Sequence, residues 1–169
     1  VLSEGIPGGF SGLYPVFGAM EDTGQLRRGY FIETLGGAQF GLPGAIDRLR
    51  DSSDKGLTVL AAADPANPYG AAVSWPEHEA GSAGRHAGAY VVLNDGMLIA
   101  FVERGARSIL VWDAEPPLLA AGLIEVGRWR KKTTTVAKIN GESVLTSPYN
   151  EAMLAAGFAT GYKGLTYKK

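Results

Sequence analysis

The sequence predicts an α+β protein in which a helix and a β-hairpin precede a larger, mostly antiparallel β module. Three observations predict it. Glycine supplies 24 of the 169 residues, which favours turns and hairpins over a helical bundle. Hydrophobic spacing changes from a helical to a strand period between residues 8 and 42. Apolar runs also flank two tight-turn sequences, Asn94-Asp95-Gly96 and Asn140-Gly141, as in β-hairpins.

The first helix is predicted between Gly8 and Gly24. Apolar residues recur there at the spacing of one buried stripe: Leu13, Val16, Phe17 and Met20. Ser11 is the expected N-cap, which would leave Pro15 in the first turn, where its missing N–H costs little. Gly24 suits the left-handed conformation that ends a helix.

Two short strands follow, at 26–32 and 38–42, with a Gly-rich turn at 35–37 between them. Helix, strand, Gly-rich turn and strand form the second half of a winged helix, in which the hairpin is the wing. A short helix is predicted from Pro43, with Leu42, Ile46 and Leu49 on one face. Residues 51–56 have linker composition, so we place a partial winged-helix segment at 1–52 and a second module at 57–169.

The second module reads as mostly β. Strands are predicted at 57–63, 87–93, 97–103 and 107–112, a hairpin at 133–145, a helix at 150–156 and a terminal strand at 165–168. A helix begins at Pro116-Pro117, and its apolar stripe is Leu119, Leu123, Val126 and Trp129. The polar stretch 76–86 is expected to be a mobile loop. This order predicts a curled antiparallel sheet or a β-barrel-like module with two to three helices.

Composition excludes several classes of site. The chain has no Cys and two His, His78 and His86, so it offers no disulfide, no thiolate zinc site and no Cys nucleophile. The sequence has no run of about 18 apolar residues and no secretory leader, which predicts a cytoplasmic protein without a membrane partner. The first residue is Val, so we expect a fragment of a longer chain.

Charge is distributed unevenly along the chain. Residues 1–127 carry 8 basic and 15 acidic side chains, a net charge of −7, whereas residues 128–169 carry 8 basic and 2 acidic, a net charge of +6. A basic end on an acidic body is a candidate phosphate-contacting face. The alternative is that these cations solubilise a helix end and complement its dipole.

Several segments resemble one known family. They are 4–16 (EGIPGGFSGLYPV), 27–31 (RRGYF), 36–40 (GGAQF), 64–70 (DPANPYG), 75–76 (WP) and the hairpin turn at 94–96 (NDG). Together they resemble the C-terminal region of the Lhr family, the large helicase-related proteins of superfamily 2. The resemblance implies winged helices that end in a β-barrel module, similar to DNA glycosylases built from tandem winged helices. It also implies an ATP-driven 3′-to-5′ translocase on single-stranded DNA that unwinds RNA–DNA and DNA duplexes in repair.

The motor that this resemblance implies is not encoded here. The sequence contains neither a Gly-x-x-x-x-Gly-Lys-Ser/Thr phosphate loop nor an Asp-Glu-x-His motif. ATP and Mg²⁺ are therefore expected at an ATPase upstream of this chain, and no cofactor is expected within it. The first helices of the winged helix are also absent.

Two groups of residues are candidates for nucleic-acid binding in the winged-helix segment. At the start of the first helix, Gly8, Gly9 and Ser11 leave N–H groups open for a phosphate, and Tyr14 offers a ring for base stacking. In the wing, Arg27 and Arg28 lie on alternating faces of one strand, so at most one of them is a primary phosphate contact. Gln39 on the partner strand is a weaker candidate. The alternative is an ordinary turn, a packed Tyr and a charged hairpin.

The basic end supplies a third group: Arg128, Arg130, Lys131 and Lys132. Trp129 lies among them, but its place in the apolar stripe of its helix predicts a core residue. Asp64 is the single catalytic hypothesis, because a glycosylase needs a carboxylate, or an amide that positions water, beside an extruded base. Asp before Pro is also common turn chemistry.

These observations predict a non-catalytic module that grips or guides single-stranded DNA, or an RNA–DNA hybrid, for the upstream motor. Phosphate neutralisation with limited stacking would supply the affinity. Two alternatives stay open. One is a structural module that docks on the upstream domains of its own chain or forms a homo-oligomer. The other is a DNA glycosylase-like domain.

Overall fold

The computed structural model describes residues 7–32, 36–51 and 56–168. Its chain divides into two compact units. Unit 1 comprises Val1–Asp54 with Ala71–Val73, and unit 2 comprises Lys55–Gly70 with Ser74–Lys169. The predicted linker falls largely on residues 52–55, outside the described part. Among the helices described, none has the length and apolar character needed to cross a membrane.

Unit 1 consists of two helices and a two-stranded antiparallel sheet. The elements are α1 (Gly9–Asp22), β1 (Arg27–Gly29), β2 (Gln39–Gly41) and α2 (Pro43–Asp51). The predicted order of helix, strand, strand and helix is confirmed. Most of the predicted turn at 35–37 is described, and Gly37 is left-handed there, with a φ of 85°.

Helix α1 occupies the predicted segment, but its N-cap is a different residue from the one that the sequence indicates. Gly8 precedes it with a φ of 79°, and no side chain caps its first turn. Ser11 lies inside the helix, so the prediction that it is the N-cap is wrong, and Pro15 lies in the helix interior instead of the first turn. The reason is that a glycine can adopt the left-handed conformation and start the helix without a side-chain cap. Gly24 follows the helix with a φ of 75°, as predicted.

The apolar stripe predicted for α1 is not buried. No residue of the helix is buried, and Val16 is 54% exposed. The aromatic side chains, not the aliphatic stripe, contact the wing: Phe10, Tyr14 and Phe17 each lie within 6.3 Å of the Phe40 ring, centroid to centroid. In α2, Ile46 is buried, whereas Leu42 and Leu49 are more than 60% exposed, so the predicted shared apolar face is only partly covered.

Unit 2 contains two sheets and two helices. Its strands are β3 (Leu57–Ala61), β4 (Tyr90–Asn94), β5 (Met97–Val102), β6 (Ser108–Val111), β7 (Thr134–Val136), β8 (Lys138–Ile139), β9 (Glu142–Ser143), β10 (Ala159–Gly161) and β11 (Gly164–Tyr167). Its helices are α3 (Pro116–Arg130) and α4 (Asn150–Ala155), with a 3₁₀ turn at Val144–Thr146. The protein is therefore α+β, as predicted, with four α-helices in its described part.

The predicted barrel is not formed. One sheet has the strand order β3-β4-β5-β6-β8-β9, the other has the order β10-β11-β7, and neither closes on itself within the described residues. All neighbours are antiparallel except β6 and β8. The single strand predicted at 133–139 is divided at Ala137, whose N–H donates to the Arg107 carbonyl at 2.8 Å. The chain changes sheets at this point, which leaves both sheets open.

Helix α3 forms the centre of the unit 2 core. Leu119, Leu123 and Val126 are fully buried and pack with residues of both sheets. The prediction that Trp129 belongs to this core is wrong, because its side chain is 63% exposed. At about 100° per residue, the next position in line with Leu119, Leu123 and Val126 is Arg130, not Trp129.

Candidate nucleic-acid interface

The wing holds its two arginines on opposite sides of one strand. In the β1–β2 pair, Arg28 lies opposite Phe40, and Arg27 lies opposite Gly41. Alternation along the strand directs the Arg27 side chain towards α2 and the Arg28 side chain towards α1. Both remain about half exposed. The two positions consequently differ in their contacts and not in their access to solvent.

Arg28 is held by several contacts at once. Its guanidinium donates to the Tyr14 hydroxyl at 3.0 Å and to a Glu21 carboxylate oxygen at 2.5 Å. It also lies over the Tyr14 and Phe40 rings, 5.5 and 5.2 Å from their centroids. These contacts fix the side chain against α1 and partly neutralise its charge.

Arg27 has a simpler environment. One of its guanidinium nitrogens lies 3.0 Å from Asp47 on α2, in an ion pair whose two side chains are both about half exposed. An exposed ion pair contributes little to stability and exchanges readily with solvent or another anion. Arg27 is therefore the wing arginine more available to a phosphate.

Gln39 has a structural role in the wing. Its side-chain oxygen accepts from the Phe31 and Ile32 N–H groups, and its nitrogen donates to the Ile32 carbonyl, each at 2.9 Å. These bonds hold the chain that leaves β1 against β2. The sequence analysis named Gln39 as a weaker candidate for nucleic-acid binding, and that role stays a prediction.

The residues predicted at the start of α1 lie at its N-cap and in its first turns. Gly8 and Ser11 are exposed and Gly9 is half-buried, whereas Tyr14 packs edge-on against Phe10 and Phe40. The Tyr14 ring is 39% exposed. Base stacking on Tyr14 and a phosphate at this helix end both stay predictions.

The basic end of α3 separates into side chains with different surroundings. Arg128 pairs with Glu125 one turn earlier in the helix. Lys131 ends the helix in the left-handed conformation, at a φ of 51°, and is exposed. Arg130 and Lys132 line a cavity together with Arg104, which the sequence analysis did not single out. Of the four cations at the end of α3, two, Arg130 and Lys132, therefore share one cavity with Arg104.

Comparison with known proteins identifies the family. Residues 1–59 match the family model described as the winged-helix domain of the large helicase-related protein. A protein of Mycolicibacterium smegmatis, "Lhr helicase/ probable uracil glycosylase", is 44% identical over 98% of this chain and 12% of its own length. An Escherichia coli protein, "Lhr helicase/uracil glycosylase", is 35% identical over 99% of this chain and 12% of its own length.

The chain belongs to the Lhr family. The similarity to both relatives extends through units 1 and 2, whereas the family model matches the first 59 residues. This confirms the resemblance that the sequence motifs indicated and gives unit 1 the identity of a winged-helix domain. The chain spans about one-eighth of the length of these relatives.

The expectation that this chain holds no cofactor stays a prediction. The sequence lacks a phosphate loop, and no group of three His, Asp or Glu side chains comes together within the described residues. His78 contacts the Val111 carbonyl at 3.0 Å and the Trp112 ring edge-on, which is a packing role.

Asp64 lies in a loop of unit 2 that backbone hydrogen bonds hold firmly. Its carboxylate accepts from the Ala66 N–H at 2.8 Å, as in an Asx turn. Arg85 donates to the Asp64 carbonyl at 2.9 Å and to the Asn67 carbonyl at 2.7 Å. The buried Asn67 side chain donates to the Ala62 carbonyl in the same loop. The loop thus presents a partly buried carboxylate on a rigid support.

Proposed function

We propose that this chain is the nucleic-acid-binding C-terminal module of an Lhr helicase and that it grips a single strand for a motor elsewhere in the same protein. The match of residues 1–59 to the Lhr winged-helix domain carries this proposal. We also propose a role in DNA repair, which the family resemblance implies. The motor would use ATP and Mg²⁺, whereas the residues of this chain would bind and orient the strand.

Binding would depend mainly on phosphate contacts. Arg27 on the wing supports this, because its ion pair with Asp47 is half exposed, and Arg fits phosphate oxygens with its planar fork. The net charge of +6 on residues 128–169 adds a second cationic region, in unit 2. Exposed aromatic side chains such as Trp129 would add stacking without base readout.

The experiment is fluorescence anisotropy of a labelled single-stranded DNA titrated with the 169-residue chain at low and moderate salt. Affinity should fall steeply with salt, because each neutralised phosphate releases counterions. Arg27→Gln should weaken binding several-fold. Arg48→Gln, an exposed arginine of α2 outside the predicted interface, is the matched control.

Two results would contradict the proposal. One is no binding at low salt. The other is self-association that salt does not weaken, which would instead favour an apolar docking module. In a docking module, the exposed apolar side chains of Val16, Leu42 and Leu49 in unit 1 would form the contact surface.

A second candidate function is uracil excision. The printed names of both relatives include a uracil glycosylase. In such a reaction water adds to C1′ of the sugar, the bond from C1′ to the base nitrogen breaks, and uracil leaves with a proton. A carboxylate that orients the water or stabilises the cationic sugar is required, and Asp64 is the predicted residue.

Asp64→Asn tests that candidate, because an Asn side chain keeps the oxygen that accepts from the Ala66 N–H and removes only the charge. The readout is uracil release from uracil-containing single-stranded DNA. Release by the unaltered chain, with at least a hundredfold loss in Asp64→Asn at an unchanged melting temperature, would support it. Equal rates for both proteins, or no release by either, would exclude Asp64 as a catalytic residue.

A further inference from the structure

Three cations from two segments of unit 2 line one cavity. Arg104 follows strand β5, Arg130 is the last residue of α3, and Lys132 follows that helix. The cavity has a volume of about 300 Å³, and its other lining residues are Gly88, Tyr90 and Gly105. No carboxylate is part of this lining, so the positive charge of the cavity is not balanced from within it.

The sheet register brings Arg104 to this place. Tyr90 pairs with Val102 across β4 and β5, and the same register continued by two residues sets Gly88 opposite Arg104. A Cβ atom at position 88 would lie 3.3 Å from the Arg104 Cγ. The glycine therefore leaves space for the stem of Arg104, which extends past it into the cavity lining.

Arg130 brings an unsatisfied donor. It continues the buried stripe of α3, and its Nη1 atom is buried without a hydrogen-bond partner. Among the described residues only the Thr134 hydroxyl shares this condition. That nitrogen is closed to solvent, so the contact of Arg130 with an anion in the cavity would come from the part of its side chain that lines the cavity.

We propose that this cavity binds one phosphate group of a single-stranded nucleic acid. The inference rests on the proposed function and adds a specific binding site for the strand on unit 2. Two guanidinium groups and an ammonium match the donors that phosphate oxygens accept best. The volume has room for a phosphate with its adjoining sugar and not for several nucleotides, so the site would hold the backbone and leave the bases unread.

Arg104→Gln and Lys132→Gln test the site without disturbing α3. Each should lower the affinity of the 169-residue chain for single-stranded DNA about tenfold and reduce the slope of log K against log salt by about 0.7. Arg107→Gln is the matched control, since it removes the charge of an exposed arginine of unit 2 that is outside both the cavity lining and the candidate interface. It should stay within about twofold of the unaltered chain. The affinity of Arg130→Gln is interpreted only if its melting temperature equals that of the unaltered chain, because Arg130 belongs to α3.

Two further experiments distinguish a backbone phosphate from a terminal phosphate or free phosphate as the ligand of the cavity. The first compares oligonucleotides with and without a terminal phosphate, since a backbone site should bind both equally. In the second, inorganic phosphate is titrated while the amide resonances of Gly88 and Gly105 are followed by NMR. A preference above tenfold for the terminal phosphate would replace a backbone site by an end-binding site.

The possible outcomes distinguish failure of the cavity proposal from failure of the proposed function. If the chain binds DNA but Arg104→Gln and Lys132→Gln lose no more affinity than Arg107→Gln, the cavity does not bind a backbone phosphate and the proposed function stands. If phosphate shifts the two glycine amides but no oligonucleotide binds, the cavity is a site for free phosphate and the strand proposal is overturned. If neither phosphate nor an oligonucleotide has an effect, both proposals fail.

Discussion

The guanidinium of Arg28 donates to the Tyr14 hydroxyl at 3.0 Å and lies 5.5 Å from the centroid of the same ring. One side chain thereby connects the wing to the first helix. Arg27, its neighbour in sequence, contacts α2 through a half-exposed ion pair with Asp47. The two arginines, which are adjacent in sequence, therefore differ in role. Arg28 stabilises unit 1, whereas Arg27 is available to bind a ligand.

Replacing the two arginines should separate stability from binding. Arg28→Ala should lower the free energy of unfolding of unit 1 by about 1–2 kcal/mol, because it removes an ion pair, a hydrogen bond and a cation–π contact. Arg27→Ala should change it by less than about 0.5 kcal/mol. Hydrogen–deuterium exchange of the α1 amides measures both. Equal protection in the two variants would contradict the distinction.

Close packing of α3 on the sheet should make Gly122 intolerant of a side chain. A Cβ at this position would lie 2.5 Å from the Val92 Cγ1 in β4. Gly122→Ala should therefore destabilise unit 2 by about 1–2 kcal/mol, despite the better helix propensity of Ala. Urea unfolding followed by Trp fluorescence reports on unit 2, where all three Trp lie.

Gly18→Ala is the control for that substitution. Gly18 is also a helical glycine, but a Cβ there would meet no atom within 4 Å. We expect it to stabilise unit 1 by up to about 1 kcal/mol, since only helix propensity changes. Destabilisation by both substitutions would show that the contact with Val92 is not the cause.

Trp129 is exposed between Arg128 and Arg130 and should report on nucleic-acid binding. A base that stacks on its ring would quench its fluorescence and contribute about 1–3 kcal/mol. Trp129→Ser should remove that quenching and change the free energy of unfolding by less than about 0.5 kcal/mol. Leu123→Ala, at a fully buried position of the same helix, should cost about 2–5 kcal/mol. A large destabilisation by Trp129→Ser would restore the interpretation of this residue as core.

Tyr149 provides a pH-dependent test of the packing near α4. Burial, followed by the charges of Asp113 and Glu115, raises its pKa above the ordinary value of 10.0. A raised pKa in the folded state means that the associated stability is present below about pH 10 and is lost as pH rises through the folded pKa. Tyr149→Phe should therefore retain more of its stability above pH 10 than the unaltered chain.

Spectrophotometric titration of the tyrosinates gives the direct measurement. Tyr149→Phe should remove a component that titrates above the ordinary range, and Asp113→Asn should lower the pKa of Tyr149. The comparison is Tyr162→Phe, whose ring is fully exposed. If Asp113→Asn left the titration unchanged, the assigned electrostatic cause would be wrong.

Local chemistry accounts for the elements that were predicted correctly. The turn at Asn94-Asp95-Gly96 gives β4 and β5 because its residues adopt the positive φ that a two-residue hairpin needs, 49° at Asp95 and 82° at Gly96. Helix α3 begins at Pro116 as expected. The N-cap of α1 was assigned wrongly to Ser11 because Gly8 replaces a side-chain cap, and a glycine gives no capping signal in sequence.

The candidate site was predictable in part. The wing arginines and the basic run at 128–132 were visible as charge in sequence, and the family motifs indicated a helicase module. Arg104 was not visible, since it lies 26 residues before Arg130 and joins it only through the register of β4 and β5. Trp129 was assigned to the core by a spacing that Arg130 fits better.

The sequence by itself determined the local elements, the charge asymmetry and the family, because turn residues, hydrophobic period and composition act within a few residues of one another. Tertiary structure decided which elements pair. It divided the strand at Ala137 between two sheets, left those sheets open, and set Arg104 beside Arg130 and Lys132. These arrangements depend on contacts between residues far apart in the chain, and no local pattern encodes such contacts.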